Sequence, residues 1–350
     1  MNFKSKKIYI ETITPLLIVQ ESAIAGLTYY IDNNRKVTKV NFEKFIDSLN
    51  WEKDRQIINI IAEDITKLTQ RNTINTGDIK LILSRTNRVS DIEKFAEYSL
   101  ENHSKQHFRL MGEVKFNAKI CNKPYIPGSS IKGAVQTALI SYKKSIEETQ
   151  KPEEGNLFGF RDSILGNTDS LFFSNLAIFN LSIKNKIFKE QQRATGYCEA
   201  IKPGQKFETE ILFKNENFIN TMKQAILFKN LFVIENELKF FKNIQQNNAT
   251  PDTKIINEIV KTYENIKKEL EKEEIILRLG MGSGFQSVSS IFSEKILGKE
   301  QILDKELPHK SPAGKQIERA KLPLESKIKS RKFVYYKGNY TPLGWVKMTI

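Results

Sequence analysis

Cysteine is nearly absent. Cys121 and Cys198 are the two cysteines in 350 residues. They stand far apart and match no zinc spacing, so neither a disulfide framework nor a cysteine-based metal site is expected. Histidine is almost as scarce, with His103, His107 and His309 making three. No apolar run approaches the roughly 20 residues of a membrane span, and the start Met-Asn-Phe-Lys-Ser-Lys-Lys-Ile-Tyr-Ile carries no signal-peptide core. A soluble, cytoplasmic protein is expected. The 17 Gly and 10 Pro show no period that would suggest a fibre, and 39% hydrophobic residues is too many for a disordered chain. At roughly 150 residues per domain the length suggests about two domains, or one core with large insertions. Such a chain buries a core without help from disulfides or a structural metal.

Positive charge is what the chain has in excess. Lys plus Arg number 55 against 41 Asp plus Glu, a formal net charge of +14. Each phosphate neutralised on a polyanion releases condensed counterions, so the excess favours a nucleic-acid partner. Residues 301–340 hold ten Lys or Arg against Asp304, Glu306, Glu318 and Glu325. Phe333, Tyr335, Tyr336 and Tyr340 are interleaved there, and aromatic faces are where unpaired bases stack. The alternative is a lysine-rich composition whose surface is merely solvated.

Periodicity gives a coarse organisation. A first strand is expected over Lys7–Val19, broken by Pro15, and Gly26–Val40 reads as a hairpin turning at Asp32-Asn33-Asn34. Phe42, Phe45, Ile46 and Leu49 form a helical face behind a capping Asn41, continued by Ile57 to Leu68. Residues 71–112 read as further helix and loop. Ile131, Val135, Ala138, Leu139 and Tyr142 mark a helix after Pro127-Gly128-Ser129-Ser130. Strands are expected at Leu171–Ile183 and Lys206–Phe213, joined by a polar stretch containing Arg193. Helices at Asn220–Lys242 and around Ile256–Leu270, a strand at Ile275–Leu279, a glycine loop, the basic segment and a last strand at Gly344–Ile350 complete the chain. The order strand, insertion, helix, strand, strand, helix, strand is that of a ferredoxin-like, RNA-recognition-type sheet.

Two segments can carry chemistry. Ser129 or Ser130 can cap the helix and leave first-turn amides free, while Lys132 in that turn opposes the helix dipole unless an anion is bound. Free amides and a lysine together suit phosphate, with Gln136 and Lys143 near the same face. The alternative is an ordinary capped helix with a solvated lysine. Leu279-Gly280-Met281-Gly282-Ser283-Gly284-Phe285 follows a strand, and alternating glycines let a backbone approach a phosphodiester closely. It matches neither the P-loop nor the dinucleotide fingerprint, and a tight connection is the plainer reading. Catalytic sets are thin. His103 and His107 could share a helical face, but no Glu lies between them and no cysteine cluster completes a metal site.

The segment Tyr125-Ile126-Pro127-Gly128-Ser129-Ser130-Ile131-Lys132-Gly133-Ala134 closely resembles the Ile-Pro-Gly-Ser-Ser-Leu-Lys-Gly motif of the RAMP superfamily of CRISPR proteins. Leu157-Phe158-Gly159, the strand at Phe173-Ser174-Asn175-Leu176 and the Gly280–Phe285 loop resemble further elements of it. Glu11-Thr12-Ile13-Thr14-Pro15, the hairpin running into Asn41–Phe45, and Pro342-Leu343-Gly344-Trp345-Val346-Lys347 look most like the subunits of type III-A Csm effector complexes that cap the 3′ side of guide RNA. Two departures, Leu16-Leu17-Ile18-Val19-Gln20 after Pro15 and Asn175 at a position often Asp, remove polar or titratable groups.

The resemblance implies an α+β chain with a ferredoxin-like core carrying large helical insertions, with room for two such domains. Residues 1–215 would form the first, with an insertion at about 41–112, and 216–350 would hold a helical and ferredoxin-like part with the glycine loop and basic segment. The implied role is non-catalytic guide-RNA binding beside other Csm subunits, especially the repeated backbone subunit, with no cofactor, metal or membrane. Backbone contacts are expected from Gly128, Ser129, Ser130 and Lys132. Close approach is expected at Gly280, Gly282, Ser283, Gly284 and Phe285, and positioning by Arg193 and Arg278. The alternatives are a RAMP endoribonuclease using His103 or His107, and a protein-only scaffold.

Overall fold

The computed structural model describes residues 3–24, 28–31, 36–69, 92–105, 113–146, 158–181, 187–191, 196–247, 249–250, 252–283 and 330–350. Strand β1 (Lys4–Thr12) buries Ile8, Ile10 and Thr12 and exposes Lys7 and Tyr9, the period of two that a half-buried strand requires. It is the centre of a five-stranded sheet, antiparallel throughout. On one side lies β13 (Lys206–Phe213), flanked by β9 (Phe158–Phe160). On the other lies β17 (Trp345–Thr349), flanked by β14 (Ile275–Arg278). This sheet therefore draws β14 and β17 from beyond residue 216 and its other strands from before it.

A ten-stranded mixed sheet stands beside it. Its spine is β10 (Leu171–Leu181), paired to β12 (Gly196–Ile201), β11 (Phe188–Glu190), β5 (Ala96–Asn102) and β15 (Ser330–Tyr336). Beyond β12 come β6 (Glu113–Asn117) and β2 (Val19–Ile24), and beyond β5 come β4 (Lys36–Val40) and β3 (Tyr29–Ile31). A hairpin joins β15 to β16 (Asn339–Pro342), and β7 (Lys119–Ile120) with β8 (Lys123–Pro124) makes a small separate ribbon. The expected hairpin ending at Val40 is in place as β3 and β4, while its turn at Asp32-Asn33-Asn34 lies outside the described residues. Part of the 71–112 segment, expected as helix and loop, is strand β5.

The helices cover the sheets. Asn41 caps α1 (Phe42–Asp47), its Oδ1 accepting from the Lys44 amide at 3.0 Å, and α2 (Arg55–Thr69) follows. A single turn, α3 (Ile92–Phe95), leads into β5. The long α4 (Gly128–Ile146) buries Ile131, Val135, Ala138 and Leu139 against Ile8, Ile10, Phe207 and Ile211. Val114, Phe116, Phe173 and Tyr197 of the larger sheet join the same core. A second core holds Val233, Leu238 and Phe241 of α5 (Asn217–Gln246), Ile259, Tyr263 and Ile266 of α6 (Thr253–Glu271), and Phe179, Phe188, Phe333 and Trp345. Each such side chain contributes roughly 1.5–3 kcal/mol by leaving water. Among the described residues no helix is long and apolar enough to cross a membrane.

Candidate nucleic-acid interface

Helix α4 begins at Gly128, so Ser129 and Ser130 lie inside its first turn rather than ahead of it. The carboxylate at this helix start comes from elsewhere. Asp162 Oδ1 accepts from the Gly128 amide at 2.7 Å. This corrects the expectation of a serine cap: the group that meets the first amide stands on another loop, where no local pattern reveals it. That loop is held in place by Ser163, whose Oγ accepts from the Ile126 amide at 2.8 Å, and by Gly166, whose amide donates to the Pro124 carbonyl at 2.7 Å. Gly128 is required by contact, since a Cβ there would stand 2.2 Å from the Phe160 carbonyl oxygen. Ser129 is exposed, and Ser130 and Lys132 are half-buried. Lys132 Nζ lies 5.7 Å from the Phe158 ring, a cation–π contact. Asp162 already places one negative charge at the positive end of the helix dipole.

The glycine loop is one 3-10 turn, Gly280–Gly282, at the end of β14. Gly280 has φ +70°, and a Cβ there would lie 2.2 Å from the Leu17 carbonyl oxygen, which accepts from the Met281 amide at 2.8 Å. At Gly282 a Cβ would meet Leu343 Cβ at 2.3 Å. The close approach these glycines permit is thus to the chain's own backbone. Ser283 is buried, its Oγ donating to the Gly280 carbonyl at 2.8 Å. Arg278 is 7% exposed. Its Nε donates to the Leu343 carbonyl at 3.3 Å, its Nη2 to the Tyr263 hydroxyl at 3.4 Å, and its guanidinium carbon lies 5.2 Å from the Trp345 ring. So placed, Arg278 braces the turn from inside. Helix α4 packs against β14, which joins the two candidate segments in one unit. Arg193, Gly284 and Phe285 lie outside the described residues.

His103 follows strand β5 and is not on a helix, which removes the shared helical face expected with His107; His107 and His309 lie outside the described residues. His103 Nε2 is 3.2 Å from Glu101 Oε1, yet burial depresses its pKa more than that carboxylate raises it. Asn175 Oδ1 accepts from the Lys105 amide at 2.7 Å. Cys198 is buried, with its thiol pKa pushed up by desolvation, while Cys121 is exposed. No group of three metal-ligating side chains occurs among the described residues.

Both sheets carry ion pairs, the larger one joining Lys39 to Glu97 at 3.1 Å and Lys115 to Glu113 at 3.0 Å. The outer face of the antiparallel sheet pairs its own ions: Lys7 with Glu208 at 2.7 Å, Arg161 with Glu210 at 3.2 Å and Lys206 with Glu11 at 3.5 Å. On the larger sheet Lys332 is half-buried, its pKa lowered first by burial and then by Lys115. Of the aromatic residues interleaved with the C-terminal lysines, Phe333 and Tyr340 are buried and Tyr335 and Tyr336 half-buried. Pattern reading missed Asp162, Lys115 and the buried Glu199, which Lys119 and Tyr98 hold.

A sequence profile described as the RAMP superfamily matches residues 9–287. Csm5 of Methanocaldococcus jannaschii, a CRISPR system protein, is 25% identical over 97% of this chain and 88% of its own length. The crystal structure of T. onnurineus Csm5 superposes with a TM-score of 0.61 at 15% identity, covering 97% of this chain and 99% of that one. A chain of the cryo-EM structure of a Csm–crRNA–target RNA ternary complex in a type III-A CRISPR-Cas system superposes with a TM-score of 0.59 at 16% identity, covering 98% and 100%. At those identities the two structures are likenesses of fold.

Proposed function

The chain belongs to the RAMP superfamily, and from that premise we propose that it is a non-catalytic guide-RNA-binding subunit of a type III-A CRISPR (Csm) interference complex. In this reading it binds the 3′ region of the crRNA beside the repeated backbone subunit, in the cytoplasm, and serves assembly or maturation of the guide in antiviral defence. The observation that carries the reading is similarity running the length of the chain to a Csm5 protein. The +14 charge supports a polyanionic partner. In the antiparallel sheet, β9, β13, β1 and β17 run in the order of a ferredoxin-like fold, with α4 and α5 as its two helices and β14 added at the edge. Residues 1–215 are its N-terminal RAMP part and 216–350 its C-terminal part, which returns two strands to that sheet.

Within this reading Ser129, Ser130 and Lys132 meet the RNA backbone, with Lys132 as the cation and the buried Gly128 fixing the helix start through Asp162. The turn at Gly280, Gly282 and Ser283 is a rigid support braced by Arg278, and Arg193, Gly284 and Phe285 are further contact candidates. Contacts of this kind go to phosphate and sugar, so base preference should be low. The test is to purify the tagged chain from its host, sequence the bound RNA and identify co-purifying subunits. Guide RNAs of uniform 3′ end together with Csm subunits are expected. Their absence, with a binding titration on single-stranded RNA that is insensitive to salt, would overturn the proposal.

A further inference from the structure

Tyr335 and Tyr336, adjacent on β15, face opposite sides of the larger sheet. The Tyr336 ring lies 4.6 Å from the Phe172 ring and 4.9 Å from the His103 ring. It packs with Met281, the middle residue of the glycine turn, on the cluster of Leu17, Phe172, Leu176, Val334 and Leu343. Two segments that are remote in sequence, the glycine turn and the basic C-terminal stretch, therefore meet at one place.

The hairpin tip adds a cation. Lys337 and Gly338, with φ 47° and 88°, form the two-residue turn between the paired Tyr336 and Asn339. Positive φ at both positions is the type I′ geometry that matches the twist of a hairpin. Lys337 is exposed, with its Nζ 5.4 Å from the Tyr336 ring. It has no carboxylate partner among the described residues. Nearby Lys202 is bound to Glu101 at 3.2 Å, so Glu101 is already occupied. A half-buried tyrosine packed on an imidazole and edged by an exposed ammonium suits a group that is aromatic and anionic at once.

We propose that Tyr336 and Lys337 form a stacking site for one unpaired nucleobase of a bound RNA strand, with His103, 12% exposed, packed behind the tyrosine and Lys337 on the adjoining phosphate. The proposal rests on the RNA-binding reading above and deepens it by naming where a base is held. Every base has a π face, so such a site tolerates any sequence. The exposed Lys337 beside that ring favours a polyanion over an apolar protein surface.

The test uses the full chain, fluorescence anisotropy with a labelled single-stranded RNA of mixed sequence at several salt concentrations, and a thermal melt of each variant. Tyr336→Leu should weaken binding about tenfold, the scale of one base–aromatic stack, with the salt slope unchanged because no charge is removed. Tyr336→Phe should bind as the parent does. Lys337→Ala should weaken binding and lower the log–log salt slope by about 0.7, one phosphate's share on a single strand. Should Tyr336→Leu melt early, Lys337→Ala at the exposed tip still decides. A parent that binds RNA while both Tyr336→Leu and Lys337→Ala bind equally well sinks this site alone. Variants that lose only association with partner subunits sink it too. A parent that binds no RNA sinks the underlying reading as well.

Discussion

Glu237 tests how the helical pair is fastened to the larger sheet. Its carboxylate is 3% exposed on α5, and Oε2 accepts from Arg331 Nε of β15 at 2.8 Å and from the Tyr263 hydroxyl of α6 at 3.4 Å. Tyr263 in turn accepts from Arg278. Arg331 is 7% exposed, its guanidinium carbon 4.3 Å from the Phe240 ring. Glu237→Leu takes the carboxylate away from a buried guanidinium that keeps its bond to the Ser330 carbonyl, and the loss should be about 3–5 kcal/mol. The pair itself contributes far less, because its attraction is spent largely against desolvation. Glu237→Leu combined with Arg331→Met should therefore lie well above the single variant in stability, within about 2 kcal/mol of the parent. Urea denaturation followed by fluorescence, with m-values compared to confirm equal exposure on unfolding, measures both. A single variant losing under about 1 kcal/mol, or a double variant no better than the single, would show that the carboxylate is not what compensates Arg331.

Burial holds the Lys229 pKa down at about 7, against 10.5 for an exposed lysine. The unfolded chain then binds more protons between these values, so stability rises with pH across that window by at most about 1.4 kcal/mol per unit. Below about pH 7 the full penalty persists; Lys229→Met should flatten the rise and raise stability at pH 7, and an unchanged slope in melts at several pH values would refute this. Gly280→Ala must accept φ +70° and displace the Leu17 carbonyl. It should destabilise by about 2 kcal/mol or more, whereas Gly133→Ala, in open space on α4, should stabilise by roughly 0.5–1 kcal/mol; thermal melts compare them. Lys132→Ala loses a cation–π contact and relieves a cation at a helix N-terminus, each roughly 0.5–1 kcal/mol, so the melting temperature should hardly move. Its RNA affinity should fall about tenfold, and unchanged affinity would reduce Lys132 to packing.

What the sequence made legible follows from which residues break a pattern. Strand β1 and helix α6 keep clean periods, and Asn41 caps the helix it was expected to cap. Strand β12 escaped because Glu199 sits in its middle and reads as solvent-facing, although it is fully buried against Lys119 and Tyr98. Strand β15 escaped for the same reason, since Arg331 and Lys332 made it look like part of a solvated basic run. A charged residue paired inside the fold is indistinguishable, by composition, from one in water. The i, i+4 spacing of His103 and His107 allowed a shared helical face, but spacing alone does not make a helix, and His103 lies just past strand β5.

The glycine turn shows why a motif's chemistry and its location must be argued separately. Alternating glycines permit close approach, but they do not say to what, and at Gly280 and Gly282 the approaching groups are Leu17 and Leu343. Gly344, at φ +91°, completes the contact from the other side, where a Cβ would stand 2.1 Å from the Leu279 carbonyl oxygen. Three glycines thus lock the residues after Pro15, the end of β14 and the entry to β17 together. That lock holds Met281 against the same apolar cluster as Tyr336, while Ser283 and Arg331 stay fixed by hydrogen bonds. An RNA contact at this end of the molecule is therefore best sought in the side chains that the turn presents, and substituting its glycines would report on folding first.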